Sequence, residues 1–134
     1  MAGYSGTPLA KKLGIKAGDR VALLNAPAGF VEELGPLPEG ASVVPRLRPP
    51  LNLILFFAAN MKELAEEFAR LKARLVPEGM LWVAWPKKSS GVATDLSFEG
   101  VQRFGLESGL VDTKVCAIDE VWSGLRFVIR LKDR

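Results

Sequence analysis

A chain of 134 residues is long enough to bury one core and too short for two, so a single α/β domain is expected over residues 1–134. With 49% apolar and 25% charged residues the balance is that of a folded protein, and the longest apolar run, Leu53 to Ala59, is too short to cross a bilayer, so no membrane span is expected. A net charge of +3 permits an acidic partner without the basic excess of a polyanion binder, and the absence of histidine removes the commonest general base and metal ligand from any mechanism.

The N-terminal stretch has no continuous apolar segment, because Lys11, Lys12 and Lys16 interrupt it, which argues against secretion. One cysteine, Cys116, allows no internal disulfide and fits a reducing cytosol, so a cytoplasmic protein is expected. Side-chain amides are scarce (Asn25, Asn52, Asn60 and Gln102) while Pro, Arg and Glu are plentiful, a bias that points to a thermophilic source.

Met1 to Gly6 is glycine-rich and expected to be loose; Thr7 then caps a short helix with Pro8 at its first position and Gly14 at its end. Arg20 to Ala26 reads as a buried strand, and Pro27 opens a short helix through Phe30, Val31 and Leu34 that stops at Gly35. Ala41 to Leu47 is a weaker strand interrupted by Pro45, hence an edge, its pairing direction left open. Arg46, Arg48, Pro49 and Pro50 form a stiff connector.

Leu51 to Ala58 is apolar at all but one position, the pattern of a central strand covered on both faces. Asn60 and Glu63 form a capping box for a helix whose Met61, Leu64, Ala65, Phe68, Leu71 and Leu75 share one face, with Glu66 and Arg70 paired on the other. Met80 to Trp85 is a further strand closed by Pro86, followed by a polar loop from Lys87 to Thr94. A helix from about Leu96 to Ser108 then buries Phe98, Val101 and Phe104. Thr113 to Ile118 and Leu125 to Leu131 form a terminal antiparallel hairpin, its last strand turning Leu125, Phe127, Ile129 and Leu131 to one side. Three strands share a grammar of launching glycine and closing proline: Gly18 to Pro27, Gly40 to Pro45, and Gly79 to Pro86.

This order of elements, with the stretches Ile15-Lys16-Ala17-Gly18-Asp19-Arg20-Val21 and Leu75-Val76-Pro77-Glu78-Gly79-Met80-Leu81-Trp82-Val83, resembles class I S-adenosylmethionine-dependent methyltransferases over nearly the whole chain. The resemblance implies a three-layer Rossmann-like fold, mostly parallel with an antiparallel C-terminal hairpin, shortened by one strand and two helices between Leu47 and Leu51. The motifs Trp85-Pro86-Lys87 and Trp122-Ser123-Gly124-Leu125-Arg126 are also similar to those of short stand-alone bacterial proteins classed as a domain of unknown function, which implies a fold and no activity.

Ligands of open parallel sheets bind beyond the carboxyl ends of the strands where strand order reverses, which selects Asn25 to Gly29, Ala59-Asn60, and Pro86 to Thr94. The first segment carries one glycine, Gly29, and a central Pro27 where a cofactor-binding turn needs several glycines. Val44-Pro45-Arg46 stands where an acid would bind a ribose. Neither S-adenosylmethionine nor NAD is therefore expected, and no other cofactor is. Lys87, Lys88, Ser89, Ser90 and Gly91 offer ammonium groups and hydroxyls to a phosphate or carboxylate, though not in the order of a P-loop.

Asp119, Glu120, Trp122, Ser123, Gly124 and Arg126 read as ordinary hairpin chemistry, Cys116 as an inert core thiol, and no acidic cluster supports a metal. Lys11, Lys12, Lys16, Arg20, Arg46 and Arg48 lack interleaved aromatics, so nucleic acid is not expected. The functional expectation is a non-catalytic interaction or regulatory protein on a degenerate methyltransferase-like scaffold, with an unknown protein partner. The alternative is a protein or small enzyme that binds an anionic ligand or nucleotide through Asn25, Gly29, Asn60, Lys87, Lys88, Ser89 and Ser90. A second copy could pair with the edge near Pro45 or with the last strand.

Overall fold

The apolar run from Leu51 becomes strand β3 (Leu51–Phe57), in which every side chain but Asn52 is buried. The computed structural model describes residues 8–134, so the loose start and the Thr7 cap lie outside the described residues. β3 is flanked by β1 (Arg20–Leu24) and β4 (Leu75–Pro86), both parallel to it. β2 (Ser42–Val43) pairs in parallel with β1, while β6 (Trp122–Ile129) runs antiparallel to β4 and to β5 (Leu110–Ala117). The sheet order is β2-β1-β3-β4-β6-β5, and it reverses between β1 and β3.

Helices α1 (Leu9–Leu13) and α2 (Phe30–Leu34) cover one face, where Leu13, Phe30 and Leu34 pack on Leu53, Leu55, Phe57 and Trp82. On the other face α3 (Met61–Lys72) and α4 (Phe98–Glu107) bury Leu64, Phe68, Leu71 and Val101 against Ile54, Phe56, Leu81 and Phe127. This is the expected three-layer α/β arrangement, mostly parallel with an antiparallel hairpin. Trp82 is fully buried, and its indole N–H donates to Leu13 O at 2.8 Å, which anchors α1 and avoids the roughly 1–3 kcal/mol cost of an unpaired buried donor.

Several expectations are corrected by packing. β1 ends at Leu24 rather than Ala26 because Asn25 takes a left-handed φ of 60° and turns the chain out of the sheet. The strand placed at Ala41 to Leu47 shrinks to Ser42–Val43, and it is parallel; the chain then passes from Val44 over Leu47 directly into β3. Arg20 ties that connector down, donating to Pro50 O at 2.8 Å and Arg48 O at 3.1 Å. The last strand is internal, so the second sheet edge is β5, whose register shift between Asp112 and Lys114 breaks its regularity.

Arg70 pairs with Glu67 one turn away, not with Glu66. Leu131 is 80% exposed, because the chain leaves the sheet after Ile129 into a short 3₁₀ turn. Phe98 is 37% exposed, since α4 starts at the end of the sheet and its first turn overhangs the core. Of the three launching glycines, Gly18 and Gly40 do adopt positive φ (79° and 76°) and lie against each other. Gly79 instead serves a close approach: a Cβ there would meet Val76 O at 3.0 Å and Leu51 O at 3.2 Å.

Candidate functional site

Because β1, β3 and β4 are parallel and adjacent, their carboxyl ends share one rim, which carries Asn25, Ala58 to Asn60 and Lys87. The antiparallel hairpin adds its turn to the same rim, for Pro86 pairs with Trp122 and Ala117 with Ser123. The Asp119 cluster, treated apart in the sequence, therefore neighbours the other segments. The hairpin itself is legible in local spacing, but the insertion of β6 beside β4, which brings its turn to this rim, is a tertiary fact.

Asn25 is exposed in its left-handed conformation, and Gly29, with φ 81°, is the residue that starts α2. The turn between them closes on itself: Phe30 N donates to Pro27 O and Glu33 N to Gly29 O, each at 3.1 Å. Asn60 is an N-cap whose Oδ1 accepts from Glu63 N at 2.8 Å, as its spacing to Glu63 implied. The Glu63 carboxylate reaches back to Ala59 N at 2.9 Å, one residue before the expected donor. A third acceptor, Asp95 Oδ1, takes the Met61 amide at 2.7 Å, and Thr94 Oγ1 donates to Ala59 O at 2.7 Å. At the start of α3, where a helix offers N–H groups to an anion, the Met61 and Glu63 amides are thus engaged by acceptors of the chain itself.

Lys87 is held by its backbone: its amide donates to Val121 O at 2.7 Å, and its carbonyl accepts from the Ser90 hydroxyl at 2.6 Å. Ser90 Oγ also accepts from Val92 N, so this hydroxyl is engaged within the loop, whereas Lys88 and Ser89 are exposed on a 3₁₀ turn (Lys88–Ser90). Lys87 and Lys88 border a groove of about 350 Å³ lined by Trp85, Leu96, Phe98 and Val115, with Ser97, Glu99 and Ser123 as its other polar residues. Asn25, Gly29 and Asn60 do not line it. The rim residues are accordingly divided among three places: the β1–α2 turn, the α3 cap and the lysine groove.

A larger groove of about 580 Å³ lies between α3 and α4 over Phe68, Phe104 and Ile129, towards the C-terminal ends of both helices and away from the strand ends where sheet proteins bind ligands. Across the rim, Glu33 of α2 faces Asp119. Glu33 is exposed, but local desolvation of its carboxyl and that neighbouring carboxylate, in this order, raise the acid above its ordinary range. Asp119 Oδ1 itself accepts from Val121 N and Trp122 N, both at 2.8 Å, and so closes the hairpin turn. Cys116 is half-buried, and burial pushes its thiol up against the opposing pull of Lys12, Lys114 and Arg126. Among the described residues no group of three metal-ligating side chains is assembled, and no helix is long and apolar enough to cross a membrane.

No family model and no curated protein sequence matches the chain. Solved structures do. A SAM-dependent methyltransferase from Aquifex aeolicus superposes with a TM-score of 0.54 at 16% identity, over 90% of this chain and 87% of that one. Fibrillarin from Aeropyrum pernix, solved with natively bound S-adenosyl-L-methionine, gives 0.57 at 16% identity, over 90% of this chain and 73% of its own. The fibrillarin pre-rRNA processing protein of Methanococcus jannaschii gives 0.55 at 11% identity, over 95% and 70%. At these identities the likeness establishes the fold: a shortened, methyltransferase-like Rossmann scaffold.

Proposed function

We propose that this chain is a non-catalytic interaction protein on that scaffold, working through a protein partner rather than through methyl transfer. The observation that carries the reading is the state of the rim: the Met61 and Glu63 amides at the start of α3 are taken by Asp95 and Asn60, and the Ala59 amide before it by Glu63. A catalytic rim needs such groups preorganised but unspent towards a reacting ligand.

The residues beside β1 and β2 do not fit S-adenosylmethionine. The β1–α2 turn has a proline and one glycine, the Phe30 amide is used on Pro27 O, and α2 has five residues with which to stabilise a bound group. At the end of β2 the chain reads Val44-Pro45-Arg46, a cation where a ribose diol requires a carboxylate. The same mismatch applies to NAD. Fold likeness to cofactor-dependent enzymes does not supply these groups.

Calorimetric titration of the full chain with S-adenosylmethionine tests the negative half of the proposal. No saturable heat is expected up to about 1 mM, whereas a one-site isotherm tighter than about 100 μM, or methyl transfer to any acceptor, overturns it. The positive half is tested by affinity purification of the tagged chain from its source cell. The expectation is one partner that rebinds at a fixed stoichiometry when both proteins are purified; no such partner in repeated purifications counts against it.

A further inference from the structure

The groove beside the Lys87–Ser90 turn combines features that the interaction reading leaves unused. Its floor is Trp85, 6% exposed, and its walls carry Phe98 and Val115, exposed by 37% and 55%. Two large apolar side chains open to water on one concavity differ from apolar residues scattered singly over a surface, because a single ligand can cover both. Among the described residues neither Lys87 nor Lys88 has a carboxylate within ion-pair distance, although Glu99 lines the same groove.

Val115 reaches this place through topology. It pairs with Leu125 on β6, so its side chain shares the α3–α4 face of the sheet, at the end where α4 begins. β5 is the sheet edge, which leaves Val115 55% exposed. Lys87 is fixed from the other side by Val121 O and the Ser90 hydroxyl, so both ammonium stems start from a braced turn. Bracing lowers the ordering cost of binding.

We propose that this groove is a binding site for a small amphipathic anion, with its apolar body on Trp85, Phe98 and Val115 and its anionic head at Lys87 and Lys88. A volume of about 350 Å³ suits one aromatic or short branched aliphatic body. Glu99 sets the polarity of the site: the head seats on the lysine side, and a ligand with a second anionic group at its far end is repelled. Methyl transfer and the β1–α2 turn have no part in this site, so it stands or falls independently of the reading above.

The test is a titration of the ¹⁵N-labelled full chain, followed by amide chemical shifts, with 8-anilinonaphthalene-1-sulfonate, phenyl phosphate and the neutral control benzyl alcohol. Saturable shifts are expected for both anions at Lys87, Lys88, Phe98 and Val115, with dissociation constants of about 10 μM to 1 mM. Benzyl alcohol is expected to bind at least about tenfold more weakly, and Lys87→Ala/Lys88→Ala to lose at least about tenfold in anion affinity, with an apo spectrum that differs only around the substituted residues. If that double variant is misfolded, the single variants Lys87→Gln and Lys88→Gln replace it, each expected to weaken binding several-fold. The proposal is overturned by shifts that map elsewhere, including the groove between α3 and α4. Equal binding of benzyl alcohol, unchanged affinity in the folded variants, or no shift up to about 5 mM overturns it too.

Discussion

The Asp95 carboxylate accepts a hydrogen bond from the Met61 amide at 2.7 Å, joining residues 34 positions apart. It completes a cap in which Asn60 and Glu63 supply the local acceptors, and it fastens the loop before α4 to the start of α3. Replacing it with alanine leaves a helix N-terminal donor to water and removes a negative charge from the positive end of the helix. Asp95→Ala is expected to cost about 1 kcal/mol, a fall of roughly 3–6 °C in melting temperature for a domain of this size. Asp95→Asn, which keeps an acceptor, should lose less than half of that. Calorimetry of the two variants checks this, and an unchanged melting temperature in Asp95→Ala means the cap contributes nothing.

Gly105 lies inside α4, where alanine would ordinarily be the better residue by about 0.5–1 kcal/mol. Here a Cβ would stand 2.1 Å from Phe127 Cε1, an impossible contact with a fully buried ring on β6. Overpacking outweighs propensity, so Gly105→Ala is expected to destabilise by about 1–3 kcal/mol in chemical denaturation. A stabilised variant would show that α4 can lift from the sheet at little cost.

Glu33 gives stability a pH dependence of definite sign. Its folded-state acid is raised by local desolvation of the carboxyl and by Asp119, so between the unfolded value and the raised one the folded chain holds more protons. Its contribution is therefore most favourable below the ordinary carboxylate value, is lost as pH rises through the raised one, and is constant above it. Glu33→Gln should be more stable than the parent at pH 7 and lose the part of the slope that runs upward from the ordinary carboxylate value. Urea titrations of both proteins across that range decide it; a less stable variant at pH 7 would mean that the charged carboxylate is favourable to the fold.

Cys116 should behave as a poor nucleophile. Burial raises its thiol despite three cations nearby, so the thiolate fraction at neutral pH is below that of an open cysteine. Alkylation by iodoacetamide at pH 7.5 is expected to run at least about tenfold slower than for a free thiol, and to reach the free rate in denaturant. Equal rates in the native chain would mean that the cations prevail.

The parts of this architecture legible in the sequence are those written in contiguous residues. The apolar run of β3, the Asn60–Glu63 spacing and the period of Leu64, Phe68 and Leu71 each encode a local preference that the fold respects. Where two local partners compete, the sequence is silent: Glu66 and Glu67 are both within reach of Arg70, and rotamer and packing select Glu67. The candidate site is less legible still. Lys87 and Lys88 stand out as residues, but by local pattern Phe98 belongs to the core and Val115 is a plain strand position, and only their meeting makes a groove.

What the sequence determined by itself is therefore the order and kind of elements, the central place of β3, and the absence of a glycine-rich turn and of an acid after β2. These follow from hydrophobic period, caps and turn residues, each of which acts over a few positions. The tertiary structure alone decided that β6 lies inside the sheet, that Asp95 caps α3, that Gly105 meets Phe127, and that Val115 and Lys87 line one groove. All four are contacts between segments distant along the chain, selected when burial of the two sheet faces forces the elements into one arrangement, and no local propensity carries that information.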